Sequence, residues 1–347
     1  MTKLVNLEDC CEILDSQRIP ITANNRIEGP YPYYGANGIQ DYVAGYIFDD
    51  ELVLLAEDGG NFGSKDRPIA YRVSGKCWVN NHAHVLKPKS GLDVDYLCYS
   101  LAFYDTSNLV NGATRKKLTQ SAMRKMKIPL PPLNIQIKIV DTIKKVRSII
   151  SVRQSQLDKL DTLVKARFVE MFGDPVKNTK EFGLTKLSDL GLLERGKSKH
   201  RPRNDPALLG GPYPLIQTGE VTNSGVYIKD YSSTYSDLGL AQSHMWPKGT
   251  LCITIAANIA QTAILNFDAC FPDSVVGFIP NDNSISTIYL HYWFTFFQKI
   301  LDAQAPQVAQ KNINLKILSN LKVIVPPLLL QQEFSSFVHQ VDKSKVA

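Results

Sequence analysis

The sequence predicts an α/β fold of mixed α+β type, in which two pseudo-repeated globular domains are joined by long coiled-coil helices. Three observations carry this reading. Ile139, Ile143, Val146, Ile150, Arg153, Leu157, Leu160, Val164, Arg167 and Met171 follow one another in alternating steps of four and three, and eight of the ten are apolar. That is the seam of a coiled-coil helix. GPYPYYGANG at 29–38 is answered by GPYPLIQTGE at 211–220, with four identical residues in one frame. Both halves of the chain then close on a Pro-Pro pair that opens an amphipathic helix, so a duplicated unit is expected.

At 347 residues the chain is long enough for two domains with substantial cores. With 44% apolar and 21% charged residues it has the composition of an ordered globular protein. No run of eighteen apolar residues occurs, and the N-terminus MTKLVNLEDCCEILD lacks the apolar region of a signal peptide, so a cytoplasmic location without membrane contact is expected. The six cysteines show no C-x-x-C spacing and are expected as reduced, mostly buried thiols.

Taken in order, KLVNLED at 3–9 begins an amphipathic segment that KLSDLGL at 186–192 repeats. ELVLLAEDGGNFG at 51–63 matches TLCITIAANIAQT at 250–262, each a β-rich run entering a loop of small and polar residues. DYLCYSL at 95–101 matches IYLHYWF at 288–294, where Tyr96, Leu97 and Tyr99 answer Tyr289, Leu290 and Tyr292; both read as short, largely buried helices. RKKLTQSAMRKMKIPLPPLNIQ at 115–136 matches QKNINLKILSNLKVIVPPLLLQ at 310–331. The separation of matching residues grows from 183 to 195, which places a net insertion of about a dozen residues in the second copy.

Pro132 suits the first helical position and Gly173 with Pro175 a stop, giving a helix of ~60 Å. In the second copy Phe334, Val338 and Val341 take the register of Ile139, Ile143 and Val146, so this helix is expected to pair with the start of the first. The chain then ends at Ala347, and residues from about Leu157 to Met171 are expected to need cover from another subunit, a domain or a segment missing from this chain.

Motifs for catalysis are sparse. The chain holds no G-x-x-x-x-G-K-[ST] loop, H-E-x-x-H helix, G-x-S-x-G elbow, F-x-G-x-G loop or N-P-P-[YF] tetrapeptide. Glu57 and Asp58 with Lys65 match a nuclease carboxylate cluster only loosely, and the second copy has Ala256 and Ala257 there, so a surface loop is the better reading. His82 and His84 read as loop or core histidines, and no metal site is expected. Cations are concentrated instead. Residues 111–127 hold Arg115, Lys116, Lys117, Arg124, Lys125 and Lys127 and no acid, matching the chain's net charge of +6. The turn at Asn111-Gly112 would present Arg115, Lys116 and Lys117. A second cluster runs from Arg195 to Arg203. Clustered cations suit DNA phosphates, and Arg can grip guanine with paired hydrogen bonds. Amides recur in corresponding loops: Asn37 and Gln40 in the first copy, Gln217 and Thr218 in the second, with Gln307, Gln310, Lys311 and Asn312 near its end. Asn and Gln can read adenine, while Tyr33, Tyr34 and Tyr213 can pack on the sugar-phosphate backbone.

GPYPYYGANG, NGATRKKLT, IPLPPLNIQ and the helix ending EMFGDP, with GPYPLIQTGE, APQVAQKNIN and VPPLLLQQEF in the second copy, resemble the specificity subunit of a type I restriction-modification system over nearly the whole chain. The resemblance implies a target recognition domain at 1–131, a spacer helix at 132–173, a second target recognition domain at 174–326 and a short C-terminal spacer helix at 327–347. It implies a non-catalytic subunit that reads a bipartite site in double-stranded DNA and directs adenine methylation and restriction in phage defence. Modification subunits would carry the S-adenosylmethionine, restriction subunits the motor and nuclease, and this chain no cofactor of its own. Self-association through the unpaired part of the central helix also belongs to this expectation. The other readings are a coiled-coil scaffold whose domains bind protein, predicted to be insensitive to Arg115→Ala, and a stand-alone DNA-modifying enzyme, predicted to bind a cofactor or metal by itself.

Overall fold

The structure is a computed structural model that describes residues 3–112, 115–200, 202–255, 259–281, 284–297, 300 and 313–346. It divides into two compact units, Met1–Arg153 and Gln154–Ala347. The first contains strands β1 (Lys3–Asn6), β2 (Cys11–Ile13), β3 (Glu28–Gly35), β4 (Gly38–Val43), β5 (Phe48–Ala56), β6 (Ala70–Val79), β7 (Ala83–Pro88), β8 (Val110–Asn111), β9 (Lys117–Leu118) and β10 (Lys127–Leu130). Its helices are α1 (Leu7–Cys10), α2 (Val94–Ala102), α3 (Gln120–Arg124) and the start of α4 (Leu133–Phe172). Six strands form one sheet in the order β2-β7-β5-β6-β3-β4, antiparallel except where β3 meets β6. Strand β5 is covered on both faces because its run Leu-Val-Leu-Leu-Ala is apolar throughout. Alternation sends Val53 and Leu55 into a core with Leu97, Leu101 and Ile128, and Leu52 and Leu54 into another with Val73, Cys77 and Val85.

The second unit divides its strands among separate sheets of five, four and two. Its strands are β11 (Gly183–Lys186), β12 (Gly191–Arg195), β13 (Leu209–Leu215), β14 (Tyr227–Ile228), β15 (Ser233–Tyr235), β16 (Met245–Trp246), β17 (Leu251–Thr254), β18 (Thr262–Leu265), β19 (Ala269–Cys270), β20 (Val275–Pro280) and β21 (Lys322–Val325). They form sheets ordered β12-β20-β17-β18-β14 and β15-β13-β19-β16. The helices are α5 (Leu187–Leu190), α6 (Thr218–Asn223), α7 (Asp237–Ala241), α8 (Thr287–Phe294), α9 (Leu315–Asn320) and α10 (Leu328–Val346).

Matching residues do matching work. In each unit the first strand pairs antiparallel with the last, β1 with β10 and β11 with β21, and a helix starts three residues later. The Tyr96 hydroxyl donates to Pro129 O at 2.9 Å, and the Tyr289 hydroxyl donates to Ile324 O at 2.8 Å. Gln136 is fully buried; its Nε2 donates to Gly91 O and Pro131 O, both at 2.8 Å, and its Oε1 accepts from Asp93 N at 2.8 Å. Gln331, equally buried, donates to Pro326 O and accepts from Ser286 N. Asp93 and Ser286 also cap α2 and α8. The Pro-Pro-Leu-x-x-Gln motif is therefore a lock. Its Gln reaches back from the first turn of the long helix and satisfies backbone groups that burial would leave unpaired.

Helix α4 is a single run of forty residues. Pro132 O accepts from Ile135 N and Gln136 N at its start. Gly173, at φ +78°, ends it with no room for a Cβ, which would lie 2.4 Å from Thr179 Oγ1. Two seam expectations need correction. Helix α10 packs on the end of α4: Phe334 meets Phe168 at 5.5 Å and Phe172 at 5.4 Å, Arg167 lies over the Phe337 ring, and Lys345 Nζ pairs with Asp161 at 2.7 Å. The cause is connectivity. Strand β11 follows α4 and β21 precedes α10, so their antiparallel pairing sets the beginning of α10 beside the end of α4. The seam residues after Leu157 find the cover expected of a domain, Leu160, Val164 and Met171 lying in or against the second unit's core, while Val146, Ile149, Ile150 and Val152 are 50–67% exposed. In the last turns the buried positions are Val164, Phe168 and Phe172, a slip of one residue from Arg167 and Met171, because Tyr289 and Phe296 of the unit's core capture Phe168.

Candidate nucleic-acid interface

Of the expected contact residues of the first unit, Arg115, Lys116 and Lys117 are brought against loop 56–60, with Arg115 meeting Asp58 from 57 positions away. Loop 56–60 leaves the end of β5, and residues 115–118 run into β9, which pairs antiparallel with β8. Leu118 N donates to Glu57 O at 2.7 Å, Gly59 N donates to Lys116 O at 3.4 Å, and Asp58 bridges Lys117. Gly112 has φ +109°, and a Cβ there would meet Arg115 O at 2.3 Å.

Arg115, Lys116 and Lys117 are all exposed. Arg115 Nη2 donates to Asp58 Oδ1 at 2.8 Å, and Lys117 Nζ pairs with Glu57 Oε1 at 3.1 Å. Lys116 has no ion pair among the described residues. Asp58 also accepts from His82 Nδ1 at 2.7 Å, and His82 N donates to Asn80 Oδ1. Asn37 is exposed and donates through Nδ2 to Gly59 O at 3.0 Å, so it braces the same loop. Gln40 accepts from Asn80 Nδ2 at 2.9 Å.

Beneath this surface lies a charged network. His84 is fully buried, with Nδ1 2.6 Å from Asp15 Oδ2 and Nε2 2.9 Å from Leu118 O. Asp15 also accepts from Val85 N and Gln120 Nε2. Burial raises the Asp15 pKa, but the His84 contact and these hydrogen bonds outweigh it, so the carboxyl ends below its ordinary range. Asp15, Glu57 and His84 have the donor types of a metal site and converge to it. Arg18 lies against two of them: its Nη1 bonds Glu57 Oε2 and Ala83 O, both at 2.7 Å, and its Nη2 lies 3.6 Å from Asp15. The network ties loop 56–60, through Glu57, and residues 115–118, through Leu118, to the core.

Tyr33 is corrected from contact residue to core residue. It is 1% exposed, its hydroxyl accepts from Ile21 N and donates to Ile21 O, and Arg26 covers its ring at 4.3 Å. Burial alternates along this end of β3, so Tyr33 and Gly35 lie on the covered face while Pro32 and Tyr34 take the other. Tyr34 is half-buried against Tyr71, whose hydroxyl donates to Gly35 O.

In the second unit Gln217 is exposed and stands just before α6, its N–H donating to Glu220 Oε2 at 3.0 Å; Thr218 opens that helix. The expectation for Gln307, Gln310, Lys311 and Asn312 lies outside the described residues. Arg195 donates to Asp273 O, and Arg203 pairs with the Asp273 carboxylate. An open cleft of about 1170 Å³ lies along α6 and α10, but Glu220, Asp230 and Asp342 balance its Lys229, Lys343 and Lys345, which does not favour a polyanion.

Sequence reasoning passed over Asp58 and His82 as partners of Arg115, and Asp15, Arg18 and Gln120 as their foundation. One signal was present: Glu57-Asp58 directly after an apolar β-run, where the second copy has two alanines.

A family model described as "Type I restriction modification DNA specificity domain" matches residues 2–162 and again 179–347. A putative type I restriction enzyme specificity subunit of Haemophilus influenzae is 29% identical over 97% of this chain and 86% of its own length. A type I restriction enzyme specificity subunit of Methanocaldococcus jannaschii is 22% identical over 98% and 86%. Among solved structures, the S subunit of a type I restriction-modification system from M. genitalium superposes with TM-score 0.55 at 14% identity, covering 99% of this chain and 90% of that one. A chain from a study of complex assembly in a type I system gives TM-score 0.57 at 15% identity and the same coverage. At these identities the superpositions establish the fold.

Proposed function

The chain belongs to the type I restriction-modification DNA specificity family, and on that premise we propose that its two units read the two halves of a bipartite target in double-stranded DNA. The observation that carries this is the duplicated lock. Two related heads, each with its own core, are fastened through Tyr96 and Gln136 or Tyr289 and Gln331 to the start of a helix. A forty-residue helix spans about 60 Å and suits a spacer between half-sites.

In this reading the chain is the non-catalytic reader of its complex, acting in the cytoplasm as part of phage defence. It holds no cofactor; modification subunits supply S-adenosylmethionine for adenine methylation, and restriction subunits supply the motor and nuclease. Among the described residues no helix is long and apolar enough to cross a membrane. Val146, Ile149, Ile150 and Val152 offer an apolar stripe on α4 that such a partner subunit would cover. The proposed DNA contacts are Tyr34, Asn37, Arg115, Lys116 and Lys117 in the first unit and Gln217 and Thr218 in the second. Co-expression with modification subunits of the same source, followed by genome-wide mapping of methylated adenines, tests the proposal. A split motif that appears only with this chain supports it; unchanged methylation refutes it.

A further inference from the structure

We propose that Arg115 reads a guanine in the half-site bound by the first unit, and that Asp58, fixed by His82, is the positioning residue that aims it. The inference rests on the DNA-reading function above. Arg115 has the geometry of an aimed group rather than a mobile cation. The backbone just after it is tied to loop 56–60 through Lys116 O and Leu118 N, and the Nε–Nη2 edge of its guanidinium stands against Gly59. A Cβ at Gly59 would stand 3.1 Å from Nη2 and 3.2 Å from Nε, and φ is +63°. Glycine permits both the turn and the close approach.

The carboxylate beneath sets the direction. The Asp58 side chain is 18% exposed and the Arg115 side chain 59%, so the acid lies inward and the guanidinium outward. Asp58 is held in turn by His82 Nδ1 at 2.7 Å. A carboxylate beside a phosphate-binding cation would weaken that binding by like-charge repulsion. It can instead hold a guanidinium edge while the other N–H groups of the planar fork meet guanine O6 and N7. Lys116, the neighbour without an ion pair among the described residues, is the better phosphate contact. The second copy has Ala256 and Ala257 where the first has Glu57 and Asp58, so this arrangement distinguishes the two heads.

The test uses the full chain co-expressed with modification subunits of the same source, read by genome-wide mapping of methylated adenines. Arg115→Lys keeps the charge but loses the fork. It is expected to relax a G·C requirement at one position of one half-site, roughly ten- to a hundredfold in preference, while the other half-site stays intact as an internal control. Asp58→Asn is expected to relax the same position, and the double variant to be no worse than Arg115→Lys alone, the non-additivity of residues acting as one unit. An unchanged motif in Arg115→Lys, loss of both half-sites together, relaxation at a different position in Asp58→Asn, or a wild-type half-site without a G·C pair would each overturn the inference while leaving DNA reading in place. If the wild-type chain directs no motif at all, the functional reading itself fails and the inference falls with it.

Discussion

Replacing Gln136 by leucine removes one buried side chain and three hydrogen bonds at once. The N–H of Asp93 and the carbonyls of Gly91 and Pro131 lose their partner, in a place where Gln136 itself is 0% exposed and solvent cannot replace it. A buried polar group left unpaired costs ~1–3 kcal/mol. Leucine recovers part of this through apolar packing, so a loss of about 3–5 kcal/mol is expected, against about 2–3 kcal/mol for Gln331→Leu, whose amide makes two bonds. The chain has two cores and need not unfold in one step, so native-state hydrogen exchange is the suitable assay. The amide of Asp93 should exchange at least a hundredfold faster in Gln136→Leu, and that of Ser286 in Gln331→Leu, each with little change in the other unit. Gln136→Glu is a sharper probe. It keeps the acceptor for Asp93 N–H but turns a carboxylate on two carbonyls, so it should be no better than leucine at neutral pH and should partly recover in acid, when the carboxyl carries a proton. Protection of Asp93 that survives Gln136→Leu would refute the lock.

Phe168→Ala should destabilise the second unit by ~3–5 kcal/mol, because the ring is fully buried against Phe172, Tyr289, Phe296 and Phe334; a urea midpoint within error of wild type would contradict the packing of α4 and α10. Specific DNA binding should weaken steeply with salt, with a log–log slope near −5 for six phosphate contacts, and Lys116→Ala should bring it to about −4 at every sequence tested; an unchanged slope would remove Lys116 from the phosphate contacts. His291, with Nδ1 3.0 Å from Thr262 Oγ1, has its pKa pushed down to about 4 by burial. The unfolded imidazole takes up a proton near pH 6.5, so between about pH 6.5 and 4 the unfolded state binds more protons and acid should destabilise the second unit. His291→Asn should flatten the urea midpoint over that window; an unaltered pH dependence would assign the effect elsewhere.

Exposure on α4 also changes what the seam means. A stripe that ends on Val164, Phe168 and Phe172 is anchored in a head, while Val146 to Val152 is presented. The heptad pattern therefore marks packing at one end, and at the other a stretch whose apolar side chains meet solvent.

The amino-acid sequence by itself determined the duplication, the long helix and its limits, the β-rich run of β5, and the residues of the lock, since Tyr96 with Tyr289 and Gln136 with Gln331 stand at matching positions in short motifs. These depend on local pattern and on comparison of the chain with itself. Only the tertiary structure decided that Tyr33 is covered, since the cover is the segment around Ile21 and Arg26 packed on that face of β3. It alone decided that α10 lies along the end of α4, which follows from the pairing of β11 with β21. It also joined Arg115 to Asp58 across 57 positions, with Asp15, Arg18 and His84 beneath. Spacing along a chain reports what neighbours share; the partner of a charge is set by how distant strands are ordered in a sheet, and nothing near Arg115 in sequence announces it.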